Sequence, residues 1–139
     1  METKNKILLN LFEIKKNKNI LIVDDDENIT AVLKRIISSH GYNCSAITDS
    51  RKTFEFVEKN LVDVIVTDVN MPHMSGLEVI KEIRKRYGIY GPRIIIISGC
   101  IGALSEDFIM KNRVGYVMSK PFADIMAVPD IIDRLIFEN

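Results

Sequence analysis

The chain has 139 residues, 47% hydrophobic and 27% charged, and its 19 basic and 19 acidic side chains cancel. Such a composition excludes a disordered or collagen-like polymer, and a chain of this size can bury about two-thirds of its unfolded surface in one core without metal or disulfide support. The longest apolar runs are strand-sized, which excludes a bilayer-spanning helix, and zero net charge gives no reason for direct nucleic-acid binding.

The balance hides an asymmetry: residues 1–19 carry five lysines against Glu2 and Glu13, a net +3, which leaves −3 for residues 20–139. Ile7, Leu8, Leu11 and Phe12, followed by Lys15, recur at i, i+1, i+4, i+5 and i+8, so residues 1–18 read as a basic extension, either a helical arm or a disordered leader. Asn10 and Glu13 interrupt its apolar stretch and argue against a secretory signal. From Ile20 onward, strands are expected over 20–24, 43–47, 62–67, 93–98 and 116–119. The runs Ile20–Val23, Val62–Thr67 and Ile94–Ile97 are β-branched and almost wholly apolar, as strands covered on both faces must be. Helices are expected between and after them, over 27–39, 51–60, 75–87, 103–112 and about 129–138. The first is marked by Ile29, Val32, Leu33, Ile36 and Ile37 at i, i+3, i+4, i+7 and i+8. Gly41, Gly88, Gly91-Pro92 and Gly115 punctuate the joins. Cys44 and Cys100 show no metal-ligand spacing and read as reduced buried thiols of a cytoplasmic protein.

Alternating strands and helices make an α/β, doubly wound, parallel sheet, which binds ligands at the carboxyl ends of its strands. Asp24, Asp25 and Asp26 follow the first expected strand, Asp68 the third, Ser98 the fourth and Lys120 the fifth. Carboxylates sharing a cleft repel, and a hard, oxygen-ligated cation such as Mg²⁺ relieves them while also binding phosphate oxygens. A lysine and a serine at the same edge suit a transferring phosphoryl group, and Asp68, alone on its strand end, suits a carboxylate nucleophile. Asp26, Glu27 and Asn28 read as helix-start residues rather than ligands. Lys81, Arg84, Lys85 and Arg86 read as the solvated face of the third expected helix.

Four stretches carry a resemblance: Ile20–Glu27, Val64–Gly76, Ile95–Gly99 and Ser119–Phe122. In their order and at those strand ends they resemble the signatures of the two-component response-regulator receiver domain, the CheY-like family. The resemblance implies one receiver domain over 19–139, a flavodoxin-like (βα)5 fold with five parallel strands in the order 2-1-3-4-5. It further implies that Asp68 accepts a phosphoryl group from the phosphohistidine of a sensor histidine kinase or phosphotransfer protein. Asp25 and Asp68 would ligate Mg²⁺ directly, with the Asn70 carbonyl and, through water, Asp24. Lys120 and Ser98 would hold phosphoryl oxygens, and Gly76 and a cis Pro121 would shape the flanking loops. The implied protein is a signalling module that catalyses only its own phosphorylation and dephosphorylation. It acts on a downstream protein target and is a monomer or a weak homodimer through the face of the fourth expected helix, fifth strand and fifth helix.

Two departures stand out. Val117 occupies the place where receivers carry Tyr or Phe three residues before the lysine. Tyr116 beside it points to the other face unless the register slips by one. An added loop follows Phe122, with Pro129 suited to a helix's first turn. Asp24-x-Asp26 also superficially resembles the nucleophile motif of haloacid-dehalogenase-type phosphatases, in which Asp24 rather than Asp68 would carry the phosphoryl group. An EF-hand reading fails at Ile29 and Arg35, and a nucleotide-binding reading fails for lack of a glycine-rich loop.

Overall fold

Side chains alternate across a strand, so a strand that is apolar at every position needs cover on both faces. The computed structural model, which describes residues 2–138, meets that need with a sheet between two helical layers. In chain order the elements are α1 Glu2–Lys16, β1 Asn19–Val23, α2 Glu27–Ser39, β2 Asn43–Ile47, α3 Thr53–Lys59, β3 Val64–Asp68, α4 Gly76–Tyr87, β4 Arg93–Ser98, α5 Glu106–Lys111, β5 Val114–Ser119 and α6 Val128–Phe137. All strand pairs are parallel and the order is β2-β1-β3-β4-β5, as expected. Ile20, Ile22, Val64, Val66, Ile95 and Ile97 face α2 and α6, packing with Leu33, Ile37, Ile131 and Ile132. Leu21, Val23, Ile65, Ile94 and Ile96 face the other way, onto Val57 of α3 and Val79, Ile80 and Ile83 of α4. Among the described residues no helix is long and apolar enough to cross a membrane.

Local chemistry sets the ends of the elements. Asp26 caps α2, its Oδ1 accepting from the Asn28 and Ile29 amides at 2.9 and 3.2 Å, and Pro129 sits in the first turn of α6. Gly88 closes α4 at φ 71°, a left-handed value that disfavours a side chain. Two expected helices are shorter than their periodicity suggested. A 3-10 turn at Ser50–Lys52 precedes α3, where Thr53 Oγ1 donates to the Ser50 carbonyl at 2.7 Å. A second, Ile101–Ala103, precedes α5, whose start is set by Ser105 Oγ accepting from the Phe108 amide at 3.0 Å. β5 begins two residues early because a bulge falls between Val114 and Tyr116: Ile94 pairs with Val114 but Ile95 with Tyr116, leaving Gly115 as the extra residue. A Cβ on Gly115 would lie 2.6 Å from Leu135 Cδ2, so the Leu135 side chain of α6 packs directly on the bulge.

Arg84 corrects the reading of its helix face as merely solvated. Its guanidinium donates to the carbonyls of Asn112 (2.7 Å), Pro92 (2.9 Å), Gly88 (3.2 Å) and Arg113 (3.4 Å), joining the loops before β4 and β5. The cysteines divide: Cys44 is buried, its thiol pushed up to about 12 by that burial with Lys34 opposing, whereas Cys100 is exposed, contrary to expectation. α1 buries none of its residues. Its base is held by Lys15, which pairs with Asp133 at 3.2 Å and lies 5.3 Å from the centre of the Tyr42 ring.

Fully buried Ile95 packs against both neighbouring strands and α6, so Ile95→Ala should cost about 3 kcal/mol in a urea unfolding experiment. Leu61, which is 76% exposed, provides the control: Leu61→Ala should shift stability by less than about 0.5 kcal/mol.

Candidate functional site

Parallel pairing brings the ends of β1, β3, β4 and β5 to one edge, and with them the residues that the sequence scatters over almost a hundred positions. Val23 pairs with Thr67, Asp68 with Ile97, and Ser98 with Ser119, so Asp24, Asp68, Ser98 and Lys120 stand in adjacent columns. Carboxylate oxygens of Asp24, Asp25 and Asp68 all lie within 4.8 Å of one another. Asp24 is only 1% exposed and Asp68 8%, while Asp25 is exposed at the rim.

Lys120 reaches across this cluster. Its Nζ donates to Asp24 Oδ2 at 2.7 Å and lies 3.3 Å from Asp68 Oδ2. The other oxygens are held by main-chain amides: Asp24 Oδ1 accepts from Asp26 at 2.9 Å and Asp68 Oδ1 from Val69 at 2.8 Å. Burial is the main cause that raises the Asp68 carboxyl above its ordinary range, and the Asp24 charge adds to it; Lys120 and the Val69 amide oppose without cancelling them. Burial by itself would lower the Lys120 ammonium, but the hydrogen bond and charge of Asp24, with those of Asp68, outweigh it and raise the group. The edge therefore holds more negative charge than one lysine balances, and its donors are all oxygens, the set a hard cation takes.

Ser98 is buried on the neighbouring strand end, where its Oγ accepts from the Cys100 amide at 3.0 Å and its carbonyl accepts from the Lys120 amide at 2.8 Å. No hydrogen bond joins its hydroxyl to Asp68 or Lys120. Asn70 is exposed on the loop two residues past Asp68. The Lys120-Pro121 peptide is cis. Gly76 is tied to this loop: its amide donates to the Val69 carbonyl at 2.8 Å, and a Cβ there would lie 1.9 Å from the Asp68 carbonyl oxygen.

Sequence reasoning missed Ser50. It is 1% exposed and its Oγ donates to the Met74 carbonyl at 2.7 Å, pinning the loop that follows Asp68 from across the β2 connection. Nothing in its sequence neighbourhood marks it. The question of Tyr116 has a definite answer. The register does slip by one, but at Gly115, so Val117 pairs with Ile96 and packs on the α3–α5 side, with Leu104 and Phe108. Tyr116 shares the face of Ile95 and Met118, on the α6 side. The bulge does not supply the missing ring.

Residues 20–129 match the family described as Response regulator receiver domain. Among curated relatives, the alkaline phosphatase synthesis transcriptional regulatory protein PhoP of Bacillus subtilis is 36% identical over 70 residues, 50% of this chain and 29% of its own length. The chain spans only 24–29% of the length of the curated relatives it matches first. The Francisella response regulator 1452 receiver domain superposes with a TM-score of 0.76 at 25% identity, covering 86% of this chain and 96% of that one. The response regulator TrrA of Thermotoga maritima, solved in complex with Mg²⁺-BeF, gives a TM-score of 0.73 at 26% identity over 85% of this chain and 98% of its own.

The raised Asp68 pKa carries a sign. The folded state holds the Asp68 proton more tightly than the unfolded state, so ionising it lowers stability as pH rises above the ordinary carboxylate value of 3.8. Asp68→Asn should therefore raise the urea midpoint at pH 7 in chelator-treated buffer, with the gain shrinking as pH approaches 4; a midpoint below the parent's at pH 7 would contradict this. Gly76→Ala meets backbone rather than a flexible side chain, so a loss of about 2 kcal/mol or more is expected in the same measurement.

Proposed function

Since the chain belongs to the response regulator receiver domain family of two-component systems, we propose that Asp68 is its phosphoacceptor. The observation that carries this is the bridge of Lys120 Nζ, 2.7 Å from Asp24 and 3.3 Å from Asp68, beside a third carboxylate. A carboxylate oxygen of Asp68 attacks the phosphorus of a phosphohistidine. The new O–P bond forms as the P–N bond breaks, and the departing imidazole nitrogen keeps the electron pair and takes a proton from water. Lys120 sits where negative charge builds on the transferring group, and the Val69 amide orients the attacking carboxylate. Ser98 lies one strand away with a hydroxyl to donate. Asp24, buried and paired to the lysine at 2.7 Å, is thereby fitted as a charge partner rather than as the acceptor.

The all-oxygen, over-negative edge fits Mg²⁺, held by Asp25 and Asp68 with the Asn70 carbonyl, and by Asp24 through water. Bound there, the ion would neutralise the carboxylates and polarise the phosphoryl oxygens. The donor is a sensor histidine kinase or phosphotransfer protein, the recipient a downstream protein target, and the compartment the cytoplasm, where both thiols stay reduced. The module catalyses only its own Mg²⁺-dependent phosphorylation and dephosphorylation and binds no nucleic acid itself. It works as a monomer or as a weak homodimer through α5, β5 and α6. Phosphorylation adds between one and two negative charges and three acceptors. Ser98 and Lys120 move toward the new oxygens and carry the adjoining β4–α5 connection with them, without an aromatic ring at Val117 to report the change.

Incubation with acetyl phosphate and Mg²⁺, followed by intact-mass and peptide mapping, should give one phosphoryl adduct on Asp68, lost in Asp68→Asn. Lys120→Met should slow its formation by about a hundredfold. An adduct on Asp24, or steady turnover of phosphate esters, would overturn the assignment. In phosphodonor-saturated protein, backbone NMR shifts should change in α5, β5 and α6; unchanged shifts there would rule out the proposed readout.

A further inference from the structure

Ser50 lies off the carboxylate edge, on the connection between β2 and α3, yet its hydroxyl is directed at the loop that leads from Asp68 to α4. Its Oγ donates to the Met74 carbonyl at 2.7 Å and lies 3.4 Å from the Pro72 carbonyl, the weaker contact, and the residue as a whole is 1% exposed. The backbone it reaches from is itself fixed. The Ser50 carbonyl accepts from Oγ1 of fully buried Thr53 at 2.7 Å, and the Asp49 carboxylate accepts from the Arg51 amide at 3.0 Å.

Between the two carbonyls that Ser50 meets, the chain makes a three-residue γ-turn. The Met74 amide donates to the Pro72 carbonyl at 2.8 Å, and His73 at the centre holds φ at 70°. The positive sign marks the rare and strained form of that turn, and a residue with a side chain stays there only where its surroundings hold it. His73 is exposed, so packing of its own side chain does not supply the hold. The buried Ser50 hydroxyl, set against both carbonyls of the turn, does.

A receiver with Asp68 as its acceptor would offer the Asn70 carbonyl to Mg²⁺, and Asn70 lies between two tied points of this loop. On one side is Val69, whose amide donates to Asp68 Oδ1 at 2.8 Å and whose carbonyl accepts from the Gly76 amide at 2.8 Å. On the other is the turn at 72–74. Resting on that reading, we propose that Ser50 is a positioning residue for the cation: by holding the strained turn at His73, it sets the direction of the Asn70 carbonyl before the ion arrives. Ordering the loop in advance removes a cost that binding would otherwise meet, in the way that outer partners of a metal ligand raise affinity without touching the ion.

Titration of the full chain with Mg²⁺ alone, followed through the Asp25 and Val69 amide NMR signals, tests this. The midpoint for Ser50→Ala should rise about tenfold over the parent. At saturating Mg²⁺ the variant's rate of adduct formation from acetyl phosphate should stay within about threefold of the parent's, so the loss falls on binding of the ion. In metal-free protein the Met74 amide should exchange with solvent about tenfold faster in the variant. Glycine takes up a positive φ without strain, so His73→Gly in the Ser50→Ala background should recover most of the lost Mg²⁺ affinity, a recovery that a general loss of packing would not show. A parent that neither binds Mg²⁺ nor forms an Asp68 adduct would overturn the receiver reading and this inference with it. Where the parent does both, an unchanged midpoint in Ser50→Ala, or a double variant no tighter than Ser50→Ala alone, would overturn the role of Ser50 and leave that reading standing.

Discussion

Two carboxylates at the ends of neighbouring strands, both nearly removed from water, form the constraint on which the rest of the molecule depends. Asp24 and Asp68 repel, and the fold offsets that repulsion by bringing Lys120 in from a strand end two columns away. The Asp68 carboxyl is nonetheless raised, chiefly by its burial and then by the Asp24 charge. Three carboxylates against one lysine leave the edge negative, the charge that a hard cation would meet. The surrounding structure holds this tension in place through main-chain amides on the other carboxylate oxygens, and through Gly76 and Ser50, which fix the loop beside Asp68.

Much of this could be read in the sequence, for physical reasons. Strands buried on both faces must be apolar throughout, so Ile20–Val23 and Ile94–Ile97 announced themselves, and their carboxyl ends then identified Asp24, Asp68, Ser98 and Lys120 as neighbours. Asp26 and Pro129 were legible because caps and first turns depend on one residue and its immediate backbone. Features that depend on distant partners were not. Arg84 looks like its solvated neighbours Lys81 and Lys85 until two loops bring their carbonyls to it. Ser50 resembles any turn serine. The bulge at Gly115 lies against Leu135, twenty residues later, and the tighter contact of Lys120 with Asp24 than with Asp68 is a matter of ångströms that no spacing encodes.

The departure at Val117 gains meaning from the bulge. A slipped register offered one route to a substitute ring, and the slip is present, yet it lies one residue too early and leaves Tyr116 beside Met118 on the α6 side. With α5 reduced to six residues behind a 3-10 turn, the face next to β5 is thinly covered. Under the proposed phosphorylation, movement of Ser98 and the following turn would meet little packed cover, so the response would pass through the backbone of this connection rather than through a ring at Val117.

Arg84 has a mechanical consequence. By gathering carbonyls from the loops before β4 and β5, it clamps the end of the sheet opposite the carboxylates. The pole away from the carboxylates is therefore tied through one side chain, and it gives the strands a fixed support against which any rearrangement at the other pole would act.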